Sequence, residues 1–367
     1  MFDRRLVQHF DWGLLGLTLL LGAVGIITLY SAVTAGASTP QKILYIKQMI
    51  WFGLGLTAMI AAFLFDYKKL DQLSFFIYGF CIFLLICVLF FGKYVSGSRR
   101  WLMLGPFTIQ PSELIKIGLI IVLARYYAKV ANTGGVGLRE LIIPVMLTAL
   151  PFILIVKQPD LGTALLLVLI VGSITLFVKI EKRTFACIVA AGMVTIPLVW
   201  FFLKGYQKRR ILTFLDPDRD PLGAGYHIIQ SKIAIGSGMI TGKGFLKGTQ
   251  NALSFLPEQH TDFIFSVLAE EWGFVGSVGL IMLFLMLIIW GLNIAYGCRD
   301  NFGIALSFGV TVMIFWQVFI NIGMVMGLMP VVGIPLPLIS YGGSSLITVM
   351  IGLGLLMNVS MRRFLPE

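Results

Sequence analysis

Ten long runs almost free of charge divide this chain of 367 residues, at approximately 12–33, 48–65, 73–92, 112–131, 141–157, 161–179, 184–203, 265–297, 303–329 and 345–361. A helix needs roughly 20 mostly apolar residues to cross the hydrocarbon of a bilayer. The runs therefore predict an all-α integral membrane protein with ten transmembrane helices, built as a single polytopic membrane domain over residues 1–367. Charged residues make up 12% of the chain, about half the fraction of a soluble protein. That excludes a cytosolic enzyme, a nucleic-acid binder and a disordered scaffold. The net charge of +11 would suit nucleic acid only if it were gathered on one surface, and it is scattered between the runs instead. The four cysteines all lie within or at the end of apolar runs, where they act as small hydrophobes and form no disulfide framework.

Several runs carry internal punctuation. The first follows Arg4 and Arg5 and precedes Ala35-Gly36-Ala37, which resembles a signal peptide. It is too long for the apolar core of one, and we read it as a retained helix. The fifth is expected to be kinked or broken at Pro151, and it re-enters at once through Lys157-Gln158-Pro159-Asp160. The eighth carries Glu270 and Glu271 in its first turns, so it begins outside the hydrocarbon. With the N-terminus inside, Lys and Arg in the inner segments outnumber those in the short outer segments about two to one, which places both termini in the cytoplasm.

One polar connection is long, from about 204 to 264, and falls outside the cell in this topology. A structureless loop of that length is unusual and tends to be functional. Its Tyr226–Ile235 stretch has apolar residues at near-helical spacing and reads as an amphipathic helix on the membrane surface. The glycines at 236, 238, 242, 244 and 248 follow. They fit neither dinucleotide nor P-loop spacing and have no βαβ context, so they read as tight turns, with Lys243 and Lys247 within reach of phosphate.

Ionisable groups inside a span mark paired or functional sites. Glu113 and Lys116, three residues apart after Pro111, share a helix face. Two readings fit them: a mutual ion pair that locks packing, or a cationic cavity with Glu113 orienting Lys116 toward an anion. Asp160, at the head of the sixth run, either caps that helix or supports a polar cavity. Arg99 and Arg100 before Trp101 either anchor an interface or bind a lipid-linked phosphate. The densest cluster is Leu256–Phe265, where Glu258, His260 and Asp262 stand at the mouth of the eighth run; Asp262 either caps it or carries charge at a site. Pro335–Ser345 is uncharged yet too broken for a helix, and such backbone survives at membrane depth only inside protein or along a cavity. No cluster has metal-ligand spacing, and no serine stands in a nucleophile elbow.

Gln158–Thr163, the segment from Asp216-Pro217 through Gly225–Ser231, Leu256–Phe265 and Pro335–Ser345 together resemble the SEDS family (shape, elongation, division and sporulation), over nearly the whole chain. His227, Lys232, Gly242-Lys243-Gly244, Asn321–Met324 and Pro330–Gly333 point to its rod-shape elongation branch rather than its division branch. The resemblance implies a peptidoglycan glycosyltransferase that polymerises lipid II, the undecaprenyl-pyrophosphoryl disaccharide-pentapeptide, on the outer face of the bacterial cytoplasmic membrane. It implies a class B penicillin-binding protein as cross-linking partner, beside other elongation-complex membrane proteins and membrane lipids, and no nucleic acid.

Residue by residue, the family's essential outer-loop acid maps onto Asp262 and its fourth-helix pair onto Glu113 and Lys116. For such a transfer one carboxylate suffices to take the acceptor proton, and Asp262 is the expected base. Lys116, Arg100 and Arg210 are the expected neutralisers of the departing pyrophosphate, with Asp160, His260 and Glu258 as further substrate-binding candidates. No protein-held metal is expected, although a divalent cation (Mg or Mn) is an alternative neutraliser. Two rival functions remain at this level: a flippase for the same lipid, and a non-catalytic scaffold. The charges gather at the outer ends with no evident internal repeat, whereas a transporter spaces polar groups along a path between repeats.

Overall fold

The computed structural model describes residues 10–34, 43–95, 98–105, 107–130, 136–203, 205–217, 223–253 and 258–363. Arg4, Arg5, Ala35–Ala37, the middle of the Asp216–Gly225 motif and Leu256-Pro257 lie outside them. The protein is mostly helical. Helices α1 (Trp12–Thr34), α2 (Ile43–Leu64) and α3 (Tyr67–Phe91) are followed by a small three-stranded antiparallel sheet of β1 (Lys93–Val95), β2 (Ser98–Leu104) and β3 (Phe107–Ile109). Then come α4 (Pro111–Val130), α5 (Ile142–Lys157), α6 (Leu161–Phe177) and α7 (Lys182–Phe202). The long connection holds α8 (Gly205–Leu215), α9 (Ala224–Ser237) and the single turn α10 (Thr249–Ala252). It leads to α11 (Ile264–Gly297), α12 (Asn301–Val325) and α13 (Gly343–Arg362).

Six of these helices, α1, α2, α3, α11, α12 and α13, are long and apolar enough to cross a membrane, and α5 and α6 are shorter apolar helices. The protein is therefore a multi-pass membrane protein. Helix α4 has the length of a span but carries Glu113, Lys116, Arg125 and Lys129, whereas α7 opens with Lys182 and Arg183 and is uncharged from there to Phe202.

Helices α2 and α3 start five to six residues earlier than the apolar runs suggested. Their lysines belong to the first turns, because a lysine stem lies along apolar surface while its ammonium stays polar. Asp66 caps α3 by accepting from Lys68 N at 3.0 Å. Pro151 does not break α5, which runs unbroken from Ile142 to Lys157. The ninth run overshoots, since α12 ends at Val325 and the following segment to Gly342 is irregular. The real interruption is in α11, where Gly273 takes φ 65° and ψ −159° and splits off a short segment, residues 264–272, from the longer remainder. Only glycine adopts that conformation without strain.

The core runs through α4, α12 and α13. At Gly352 a Cβ would lie 3.5 Å from both Ile117 Cδ1 and Met313 Cε. At Gly354 it would lie 2.9 Å from Ala62 Cβ, so a small residue lets α13 approach α2 closely. The end of the bundle where α2 meets α3 is tied by side chains. Asn358 donates to Ala62 O and Phe63 O, both at 2.9 Å, and to Phe65 O, occupying the last carbonyls of α2. Asp66 pairs with Arg362 at 3.0 Å, and Asp11 Oδ2 accepts from Trp290 and Ser360.

Candidate functional site

The opposite end of the bundle holds the cluster expected around Asp262. Residues 258–263 form a tight turn in which Glu258 has φ 56° and its carbonyl accepts from Thr261 N at 3.1 Å. Three distant parts of the chain grip this turn. Asn321 on α12 donates to Asp262 O at 3.0 Å and Ile334 O at 2.7 Å. Ser340 donates to Thr261 O at 2.7 Å, and Tyr341 N to His260 O at 2.9 Å. Gln259 reaches Ala32 O on α1 at 3.0 Å. The irregular Pro335–Gly342 segment thus serves as the socket for the turn, and Gln48 of α2 fixes it in place by donating to Ser340 O at 3.1 Å. Gly343–Ser345, expected to be part of the broken stretch, are the first turn of α13.

The side chain of Asp262 is treated differently from its backbone. The N-cap residue of α11 is Phe263, with no side-chain cap, so Asp262 does not cap that helix. Its carboxylate accepts no hydrogen bond from the described residues. Gly333, at φ 75°, leaves it room: a Cβ there would sit 3.3 Å from Asp262 Oδ2. Burial pushes the Asp262 pKa up to about 6, with the Glu258 charge adding to the rise and Arg210 and Arg100 opposing it. The result is a carboxylate without a structural task, near two guanidinium groups.

Arg100 lies on β2 and is fixed by donating to Gln158 O at 3.2 Å and to Pro159 O; its Nη1 is 3.8 Å from Asp160 Oδ1. Asp160 caps α6, accepting from Thr163 N at 3.3 Å and Thr163 Oγ1 at 3.0 Å, and also takes Gln110 Nε2 at 3.2 Å. The cap reading and the polar-network reading of this residue both hold. Arg210, exposed on α8, donates to Val331 O at 3.3 Å. Arg99 is exposed on the same strand as Arg100. Glu258 is exposed and accepts from Thr261 Oγ1 at 3.1 Å. His260 is half-buried with its ring 6.2 Å from that of Tyr341; burial lowers its pKa, against the raising effect of Glu258.

Glu113 and Lys116 form an ion pair at 2.6 Å, and both side chains are buried. Gln110, whose backbone N donates to Ser344 at 2.9 Å, links the start of this helix to Asp160. The expected amphipathic helix is present as α9, but its buried face is taken by protein: Ile228 and Ala234 are buried, and Ser231 donates to Val325 O at 2.6 Å.

The glycine-rich turn is also structural. Lys243 N and Gly244 N donate to Glu270 O and Glu271 O, both at 3.0 Å, while Phe274 N and Val275 N donate to Met239 O and Ile240 O. The turn thereby takes up backbone groups freed by the break at Gly273. Lys243 is engaged with Glu270 at 2.6 Å, so its expected reach toward phosphate is replaced by an ion pair with a buried carboxylate. Glu270, Asn321, Ser340 and Gln110 escaped the sequence reading as site supports. The signals available were a lone Asn inside an apolar span for Asn321, a carboxylate in the first turns of a span for Glu270 and the broken Pro335–Ser345 stretch for Ser340; none of them named a partner.

The described residues contain no group of three or more His, Cys, Asp or Glu side chains placed to hold a metal. Of the carboxylates whose charges act on Asp262, Glu258 is exposed, whereas Asp160 is engaged with its helix cap and Arg100. A divalent cation brought in by phosphate oxygens would find Asp262 and Glu258 as carboxylate ligands.

A mostly helical membrane bundle with a recessed carboxylate between arginines defines a class of membrane enzyme site, and the comparisons with known proteins say which. The family model described as Cell cycle protein, covering FtsW, RodA and SpoVE, matches residues 9–364, and the chain belongs to that family. Among curated relatives, peptidoglycan glycosyltransferase MrdB of Escherichia coli K12 is 43% identical, covering 94% of this chain and 93% of its own length. Peptidoglycan glycosyltransferase RodA of Treponema pallidum is 36% identical, covering 98% and 99%. Among solved structures, a chain of a peptidoglycan synthase complex that coordinates polymerization and crosslinking superposes with a TM-score of 0.82 at 34% identity, over 97% of this chain and 99% of that one. The rod shape determining protein RodA of Thermus thermophilus superposes with a TM-score of 0.73 at 30% identity, over 97% and 98%.

Proposed function

We propose that this protein is a peptidoglycan glycosyltransferase of the RodA type, which polymerises lipid II during cell elongation and the maintenance of rod shape. The observation that carries the chemistry is the Asp262 carboxylate, recessed, free of structural hydrogen bonds and flanked by Arg100 and Arg210. In this reading the chain makes ten spans in the bacterial cytoplasmic membrane as one polytopic domain. Both termini are cytoplasmic, and the 204–264 connection and the site are on the outer face. Lipid II fits that position, because its sugars stay in water while its prenyl tail stays in lipid.

Chain growth joins the 4-hydroxyl oxygen of the acceptor N-acetylglucosamine to the anomeric carbon of the donor N-acetylmuramic acid. The bond to the lipid pyrophosphate breaks, and the hydroxyl proton leaves. Asp262 takes that proton as general base, a contribution worth roughly 10²–10⁴-fold in rate. Pyrophosphate is already a good leaving group, so no general acid is needed. Direct displacement inverts the anomeric centre without a covalent intermediate, by analogy with inverting glycosidases. Lys116, Arg100 and Arg210 neutralise the pyrophosphate as it departs, while Asp160 holds Arg100 and Glu258 and His260 border the sugars. A Mg or Mn ion arriving with the pyrophosphate would find its protein oxygens in Asp262 and Glu258. A class B penicillin-binding protein cross-links the product as partner, within a larger elongation complex.

The test is glycan synthesis from labelled lipid II in detergent, with the cognate penicillin-binding partner, for wild type and Asp262→Ala. Long glycans from wild type and none from a folded Asp262→Ala protein support the reading. Equal products from both remove Asp262 as the base. No polymer from either, with movement of lipid II between leaflets of liposomes, assigns the protein to transport instead.

A further inference from the structure

Gln317 lies on α12, fully buried, and neither its amide nitrogen nor its amide oxygen has a hydrogen-bond partner among the described residues. The Thr348 hydroxyl on α13 and Asn321 Oδ1 on α12 are in the same condition, each on a fully buried residue. Lys116 adds to them. It is 1% exposed and donates to Glu113, which leaves the other donors of its three-donor ammonium without a partner among the described residues. Buried polar groups are nearly always satisfied, and in a membrane bundle an unsatisfied one is especially costly. A glutamine in such a place therefore has something to bind.

These groups fall in one layer. Ile117 of α4, Met313 of α12 and Gly352 of α13 meet at a single level. From there, α12 climbs toward Asn321, which holds the Asp262 backbone, while α4 and α13 both begin at the Asp262 end, joined by the Gln110–Ser344 hydrogen bond. One helical turn toward Asp262 on each helix, four residues along the same face, leads from Met313 to Gln317, from Gly352 to Thr348 and from Ile117 to Glu113. One further turn on α12 reaches Asn321. The layer is polar on all three helices, yet no direct hydrogen bond joins the three. Polar groups on neighbouring helices that are not in direct contact have room for a bridging water where the site is polar. Water, both donor and acceptor, can satisfy the unused ammonium donors, the amide and the hydroxyl together.

We propose that Gln317 and Thr348 complete, with the Glu113–Lys116 pair, an internal water-binding site about one turn beneath Asp262, and that its waters hold the Lys116 ammonium in place for the anionic part of the substrate. Gln317 and Thr348 are positioning residues that act through Lys116. The inference rests on the reading of Lys116 as a pyrophosphate neutraliser.

The experiment joins a water-resolving map of the complex with its penicillin-binding partner to kinetics on purified variants. Ordered water within hydrogen-bond distance of both the Gln317 amide and Lys116 Nζ is expected, and a dry layer overturns the proposal. Gln317→Met keeps the volume and removes the amide. The rate at saturating lipid II is expected to fall about ten-fold, the size of one lost charge-assisted hydrogen bond, while the thermal midpoint holds or rises. Thr348→Val should fall in the same direction and Thr348→Ser should recover. A wild-type rate for Gln317→Met overturns the proposal, as does a rate loss matched by a lower thermal midpoint. Lys116→Met combined with Glu113→Gln, which leaves no unpaired buried charge, separates the two levels. If this folded double variant retains wild-type activity, the reading of Lys116 itself fails; if it is inactive while Gln317→Met is normal, only the water site fails.

Discussion

Two aspartates stand at the heads of two helices at the same end of this bundle, and their surroundings diverge. Asp160, before α6, accepts from the Thr163 backbone and hydroxyl and from Gln110, and faces Arg100. Asp262, before α11, accepts nothing from the described residues through its carboxylate, although its backbone is held by Asn321. The first spends its oxygens on holding the protein together. The second is supported from behind and left available in front, with burial raising its pKa to about 6. A carboxylate tied up in caps is a poor base; one that is desolvated and unpaired is poised nearer neutral pH. The contrast separates an acid spent on the fold from one whose carboxylate none of the described residues engages by a hydrogen bond.

The contrast can be broken most sharply by substitution at both positions. Asp262→Asn is expected to lower glycan synthesis roughly 10²–10⁴-fold while leaving the thermal midpoint unchanged or slightly higher. The sign follows from linkage. A carboxyl whose folded pKa is raised stabilises the native state below its unfolded pKa and loses that contribution as pH rises through about 6, so at pH 7 the charged form is a cost that Asn removes. Asp160→Ala should do the reverse, costing about 1 kcal/mol of stability from the lost cap with a smaller loss of rate through Arg100. Both are read by paired activity assays and thermal unfolding in detergent.

The Glu113–Lys116 pair extends the comparison to a buried charge that is fully paired. Lys116→Met alone leaves a carboxylate buried without its partner and is expected to destabilise by about 3–5 kcal/mol. Adding Glu113→Gln should restore the thermal midpoint without restoring synthesis. A double variant that polymerises normally would reduce the pair to a packing device.

The smallest expected effects are on pH dependence. Glu258→Gln removes a charge that raises the Asp262 pKa, so the acid limb of the rate profile should move down. Arg100→Ala removes one that lowers it, so the limb should move up. Each displacement should be less than about one unit, and only their opposite directions identify Asp262 as the group being read.

Most of the helical framework was legible because a span announces itself by length and lack of charge. The starts of α2 and α3 were not, since Lys47, Lys68 and Lys69 look like loop residues until their stems are laid along a helix. The strands at 93–109 are too short for alternation to register, so nothing in the sequence placed Arg100 on the β2 strand where it is found. Asp262, Arg100 and Arg210 were legible as candidates and do gather. Their supports come from Asn321, Ser340, Gln110 and Ala32, dispersed along the chain, and no local pattern joins them. The pairing of Lys243 with Glu270 was not legible for the same reason, because Glu270 becomes reachable only when the glycine turn folds against the break at Gly273.

The most direct measurement of the central claim is the pH profile of lipid II polymerisation by the purified protein with its penicillin-binding partner, run for wild type, Glu258→Gln and Arg100→Ala. The account predicts that the wild-type rate rises with pH through a midpoint near 6 as Asp262 loses its proton, with the midpoint lower for Glu258→Gln and higher for Arg100→Ala. A profile flat across that range, or a midpoint that neither substitution moves, would contradict Asp262 as the base.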